Sequence, residues 1–136
     1  MTSVDELAAN ENYLEIAGMT EEKRPVVKIF PLKRDWSRQN YELDLRYVES
    51  VLWGACAMMP EHVQKMVIEC DCSELSIIRH YAPNFFNKLV SDLRLKFKER
   101  VYEIRLVRPS ISASLLFWLY KNEFPYSFTN KLKWTK

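Results

Sequence analysis

The chain has 136 residues, 48% of them hydrophobic and 28% charged, with a formal charge of +2. That size and balance suit one domain with a real core and exclude a chain that is disordered throughout. No run of about 18 uncharged apolar residues occurs, and Asp5, Glu6, Glu11 and Glu15 stand where a secretory leader would be basic and then greasy, so a cytoplasmic location is expected.

The small net charge hides a polarity. Residues 1–22 hold six acids and no base, whereas residues 94–136 hold ten Lys or Arg against three Glu. A basic C-terminal half favours phosphate-bearing partners such as inositol lipids, an anionic membrane surface or nucleic acid.

Residues 1–23 read as a flexible acidic tail with at most one short helical turn, and residues 24–136 as a single domain. The β-branched run after Arg24-Pro25, from Val26 to Phe30, predicts a first strand, and Leu32 to Asn40 is charged and turn-like. From Tyr41 to Met59, Leu45, Val48, Leu52, Ala55 and Met59 recur at steps of three and four, which predicts an amphipathic helix stopping before Pro60. Met66 to Cys70 predicts a central strand with Asp71 near its end. Pro83 then opens a second helix whose stripe is Phe86, Leu89, Val90, Leu93 and Phe97. Val101 to Val107 alternates as a strand. A third helix, capped by Ser110 or Ser112, runs to about Lys121, and Lys131 to Trp134 form a short last strand. The alternation predicts an α/β fold, a mainly parallel sheet with helical crossovers. The third helix carries Leu115 to Tyr120, apolar almost all round, so something besides water must cover it.

Several chemistries lack their residues. With only Gly18 and Gly54, neither in a glycine-rich strand-to-helix turn, the chain has no P-loop or dinucleotide fingerprint. Ser50 and Ser76 lack a nucleophile-elbow context, and His62 and His80 do not fall at zinc-ligand spacing with Cys56, Cys70 or Cys72. The odd cysteine count fits reduced thiols buried in the core, Cys70 and Cys72 on one face of a strand. Asp71, at the end of a parallel strand, reads as a turn or cap residue before a catalytic one. Phe117, Trp118 and Tyr120, being close on one helix, point in different directions and make no base-stacking row, so nucleic acid is disfavoured.

Together these pieces resemble the CRAL-TRIO family of lipid-binding domains, from about Arg24 to Trp134. Arg24-Pro25-Val26-Val27 is similar to the opening strand and Met66 to Cys72 to the central strand. Phe97-Lys98-Glu99-Arg100-Val101 is similar to the helix end that carries Pro-Glu-Arg. The Pro109 turn, the bulky helix, Phe124 and Thr129-Asn130-Lys131-Leu132 are similar to the gate helix and its following Lys-Ile strand. The resemblance implies a non-catalytic module without cofactors. It places Glu99, Arg100 and Lys131 at a lipid headgroup and Phe117, Trp118 and Phe124 against apolar ligand surface. Lys98 stands where the motif has proline. The expected form is truncated, without the family's N-terminal helical subdomain or closing helix, which leaves room for self-association.

The Arg108-Pro109-Ser110 turn and Ser127 to Leu132 are also similar to the divergent BCH branch, which scaffolds small GTPases and their regulators. A third resemblance, to STAS regulatory domains, meets Ser73 followed by Glu74-Leu75 instead of a clear serine at a helix start.

Overall fold

The N-terminal residues are built into the fold, against the expectation of a flexible tail. The computed structural model describes residues 3–120 and 130–135. Ser3 caps helix α1 (Val4–Asn10), its hydroxyl accepting from the Glu6 N–H at 3.2 Å, and strand β1 (Leu14–Met19) comes next. Leu7 is 0% exposed and packs with Tyr13 and Leu14 against Val27, Tyr47 and Leu52. The acids that suggested a solvated tail are accommodated otherwise. Glu11 is paired with Arg38, and Glu15 lies on the opposite face of β1 from Leu14 and Ile16.

Strand β2 (Pro25–Ile29) pairs antiparallel with β1, completing a hairpin in which Gly18 takes φ +97°, a conformation that strains any side chain. After a 3₁₀ turn at Pro31–Lys33 come α2 (Glu42–Ala57) and β3 (Met66–Asp71). The single turn α3 (Ile77–His80) and α4 (Pro83–Phe97) lead through a 3₁₀ turn at Lys98–Arg100 to β4 (Val101–Val107). Helix α5 (Ile111–Tyr120) and β5 (Leu132–Thr135) complete the described order. Of the two serines offered as its cap, Ser110 heads α5, accepting from the Ala113 N–H at 3.1 Å.

The five strands lie in chain order β1-β2-β3-β4-β5, and all pairs after the first are parallel. The expected α/β class with a mainly parallel sheet and helical crossovers therefore holds. With strands in chain order, right-handed crossovers deliver every helix to the same face. The packing agrees: Val48 and Leu52 of α2, Val90 of α4 and Leu116 of α5 meet sheet residues of one parity, among them Val27, Ile68, Cys70 and Leu106. The other parity carries Glu15, Lys28, Glu69, Arg105 and Lys133, in register across all five strands. Such a row of charges, with both signs present, suits a face turned to water.

The helix stripes shift from their sequence phase. In α2, Asp44 and Tyr47 are buried while Leu45 is half-buried, because Asp44 has partners waiting inside. In α4, Phe85 is buried and Phe86, Leu89 and Leu93 are half-buried around a cavity. Cys70 and Cys72 are buried as expected, but Cys56 is only half-buried on α2. All three are free thiols.

Candidate ligand site

A cavity of about 170 Å³ lies between the sheet and its helices. Val27, Ile68, Cys70, Ile104 and Leu106 form its floor, Val48 and Leu52 of α2 and Leu89, Val90 and Leu93 of α4 its walls, and Leu116, Phe117 and Tyr120 of α5 its roof. Leu132 of β5 also lines it. The half-buried Phe86, Leu89 and Leu93 of α4 line this space, whose surface is almost wholly hydrocarbon.

Arg34 and His80 line one end of it, after the C-terminal ends of β2 and β3. Arg34 donates from Nε and Nη2 to Asp44 at 2.9 and 3.0 Å, and Arg38 donates to both carboxylate oxygens at 3.0 and 2.7 Å. The Tyr13 hydroxyl donates to Asp44 at 2.6 Å, and Arg38 also pairs with Glu11 at 2.6 Å. Burial alone would raise the Asp44 pKa, but the hydrogen bonds from Arg38, Arg34 and Tyr13 win and hold it at about 2. Burial and the bond to Asp44 push the Tyr13 phenol far up. The Arg34 guanidinium lies 4.1 Å from the Phe85 ring and 4.9 Å from Trp36, so its flat faces are covered by aromatic carbon.

His80 is 4% exposed and stands edge-on to Trp36 at 5.0 Å. Burial, then the Arg79 charge, lower its pKa. Tyr120, the last residue of α5, donates its hydroxyl to the His80 carbonyl at 3.0 Å and accepts from the Ala82 N–H at 2.8 Å. Its ring stacks on Phe86 at 4.0 Å.

The residues singled out in the sequence divide between the roof and the opposite edge of the sheet. Phe117 lines the cavity, edge-on to Trp134 at 5.5 Å. Trp118 is 59% exposed and faces outward with Ile111, Leu115 and Leu119. Glu99 and Arg100 are exposed in the 3₁₀ turn before β4, and Lys131 precedes β5. These three therefore lie at the strands' N-terminal edge, opposite Arg34 and His80. Lys131 Nζ donates to the carbonyls of Val101 at 2.8 Å and Lys98 at 3.2 Å. Burial, then Lys65 and Lys98, lower its pKa, and Glu99 counteracts them. Phe124 lies outside the described residues, as does the stretch Ser127 to Thr129.

No family model matches the sequence, and no curated protein matches it. Among solved structures the fold is similar to the crystal structure of Sfh5, a Sec14-family CRAL-TRIO protein, with a TM-score of 0.77 and 14% sequence identity. The match covers 93% of this chain and 48% of that one, so the chain spans about half of Sfh5. The fold is CRAL-TRIO-like.

In this CRAL-TRIO-like frame Asp71 acts as a turn residue. It accepts from the Ser73 N–H at 3.0 Å and the Ser73 hydroxyl at 2.7 Å, and pairs with Arg108. Ser73, on which the STAS resemblance turns, is thus committed to that turn. No group of three or more metal-ligating side chains is placed to hold an ion among the described residues. Sequence reading missed Arg34, Asp44 and Tyr13, as well as the bonds of His80 and Tyr120. The one available signal was Asp44 itself, a carboxylate in phase with the apolar stripe, four residues before Val48 and eight before Leu52.

Proposed function

We propose that this chain is a non-catalytic binding module for an apolar or amphipathic ligand of the lipid class, held between the sheet and α5. The observation that carries this reading is the hydrocarbon-lined cavity beneath α5 in a CRAL-TRIO-like fold. At about 170 Å³ it is near the size that accepts benzene and below the roughly 300–1,000 Å³ of sites for larger ligands. An acyl chain therefore requires α5 to move outward, and each methylene it buries contributes about 0.8 kcal/mol. At the opposite edge Glu99 and Arg100 are exposed to meet a headgroup, the carboxylate accepting from hydroxyls and the guanidinium meeting phosphate. Lys131 adds charge there, together with Lys65 and Lys98. A cytoplasmic protein, peripheral at anionic membranes, is the setting this reading implies.

Native mass spectrometry of protein purified from a eukaryotic host, with organic extraction, tests it. A stoichiometric lipid of one class supports the proposal. A lipid-free protein that also takes up nothing from mixed phospholipid vesicles sinks it. The headgroup assignment has its own test in Glu99→Ala and Arg100→Ala, which should lose phosphoinositide preference while the fold stays intact. Lys131→Ala alone is a poorer probe because Lys131 also supports the backbone before β4.

A BCH-like protein-interaction role is the second reading. It is favoured by the outward face of α5, where Ile111 is 84% exposed beside Leu115 and Trp118. In that case the module binds a small GTPase, one of its regulators or a second copy of itself, and Leu115→Glu abolishes that binding without changing lipid content.

A further inference from the structure

The single turn α3 is closed on itself through a histidine. The His80 N–H donates to the Ser76 carbonyl at 2.8 Å, and the Ser76 N–H donates back to His80 Nδ1 at 2.8 Å. A nitrogen that accepts a backbone N–H carries no proton, so this imidazole is the neutral tautomer with its hydrogen on Nε2. The charged and titratable groups around it are Arg79 on its own turn, whose charge acts on the imidazole, Arg34, which shares the cavity lining and the Trp36 ring with it, and the Tyr120 phenol of α5, which bonds to the His80 carbonyl. Arg34 is taken up by Asp44, and no carboxylate among the described residues pairs with the imidazole. A second proton on this ring removes the acceptor for Ser76 and sets a new cation against the Trp36 ring beside the Arg79 charge.

The same residue holds the roof. The His80 carbonyl and the Ala82 N–H bracket the Tyr120 hydroxyl, so the C-terminal end of α5 is fastened to the turn that the imidazole closes. Leu116, one turn earlier on α5, covers the cavity.

We propose that His80 makes closure of the cavity pH-dependent: protonation of Nδ1 unties α3, draws the His80 carbonyl from the Tyr120 hydroxyl and releases α5, so ligand exchange is favoured in acid. This rests on reading the cavity as the ligand site and adds a regulatory element to it. The closed form binds the His80 proton less readily than an opened form in which the ring meets water. Closure is therefore complete above the ordinary histidine value of about 6.5 and weakens as pH falls through it.

Amide hydrogen exchange of the whole chain between pH 5 and 7.5, corrected for the intrinsic pH dependence of exchange, reads the fastening without any ligand. Opening of α5 should increase by up to about tenfold per pH unit on the acid side, with the amides of β3 unchanged as the control. His80→Gln, whose amide oxygen can accept from Ser76 without titrating, should hold α5 closed at every pH. Tyr120→Phe should leave α5 open and pH-independent. A flat wild-type profile overturns the proposal, as does a wild-type pH dependence that survives in Tyr120→Phe. The second result decides the matter even if His80→Gln fails to fold. Lipid content by mass spectrometry stands apart from this readout, so a flat profile with bound lipid rejects the switch and keeps the binding module.

Discussion

Arg34 and Asp44, ten residues apart, form a two-pronged ion pair with both side chains out of solvent. Asp44 sits in the first turn of α2, where a carboxylate also meets the favourable end of the helix dipole. Through Tyr13, Arg38 and Glu11 the pair fastens the N-terminal segment to the loop before α2 and to the end of the cavity that Arg34 lines. Replacing Asp44 by Ala strands Arg34 among aromatic rings without a counter-charge. The expected loss is about 3–5 kcal/mol, the range for breaking a buried pair, read as a lower urea midpoint.

The same carboxylate makes the protein acid-sensitive. Its pKa of about 2 in the fold lies below the ordinary value of about 3.9, so its contribution is fully present above pH 4 and is lost as pH falls toward 2. The linkage amounts to about 2–3 kcal/mol. Urea titrations at pH 5, 4, 3 and 2.5 should show this decline in the wild type, with that component missing in Asp44→Asn.

Leu7 distinguishes a structural N-terminus from a tail. At 0% exposure in the core shared by α1, β2 and α2, Leu7→Ala should cost about 2–5 kcal/mol by leaving a void. An unchanged thermal midpoint would mean that the segment does not pack as described.

Filling the cavity from its roof tests its use. Leu116→Trp adds ring volume to the void of about 170 Å³ and should displace apolar ligand while changing stability by about 1–3 kcal/mol. Lipid content by extraction and stability by calorimetry read the two effects separately. Ligand retained at wild-type stoichiometry would place the binding site elsewhere.

Lys131 should prove structural in part. Lys131→Met keeps the apolar stem but withdraws the donor from the carbonyls of Lys98 and Val101, at a cost of about 1 kcal/mol. The measurement is the urea midpoint, and a neutral result would assign the ammonium to headgroup contact alone.

Strand and helix order was legible because its signals are local. Val26 to Ile29, Met66 to Cys70 and Val101 to Val107 carry the β-branched runs and alternation of strands, and Pro83 and Ser110 mark helix starts. The first hairpin was not legible because β1 has Ala17, Gly18 and Met19 exposed at an edge and few β-branched residues. Its place in the sheet comes from pairing with β2 and from Leu7, Tyr13 and Leu14 reaching the core. The local pattern there was that of a solvated segment, and long-range burial overrode it.

By itself the sequence determined the alternation of strands and helices, the apolar excess of α5, the reduced cysteines and the basic bias of the C-terminal half, all properties of neighbours along the chain. Tertiary structure decided that every helix packs on one face, and that a charged row spans the other. It also decided that Glu99 and Lys131 lie at the sheet edge opposite Arg34 and His80. The reason is that parallel strands all start at one edge of the sheet and all end at the other, so residues entering a strand and residues leaving one are kept apart. Which of those residues meet, as Arg34 meets Asp44 and Tyr120 meets His80, depends on contacts between segments 10 to 40 residues apart that no local periodicity encodes.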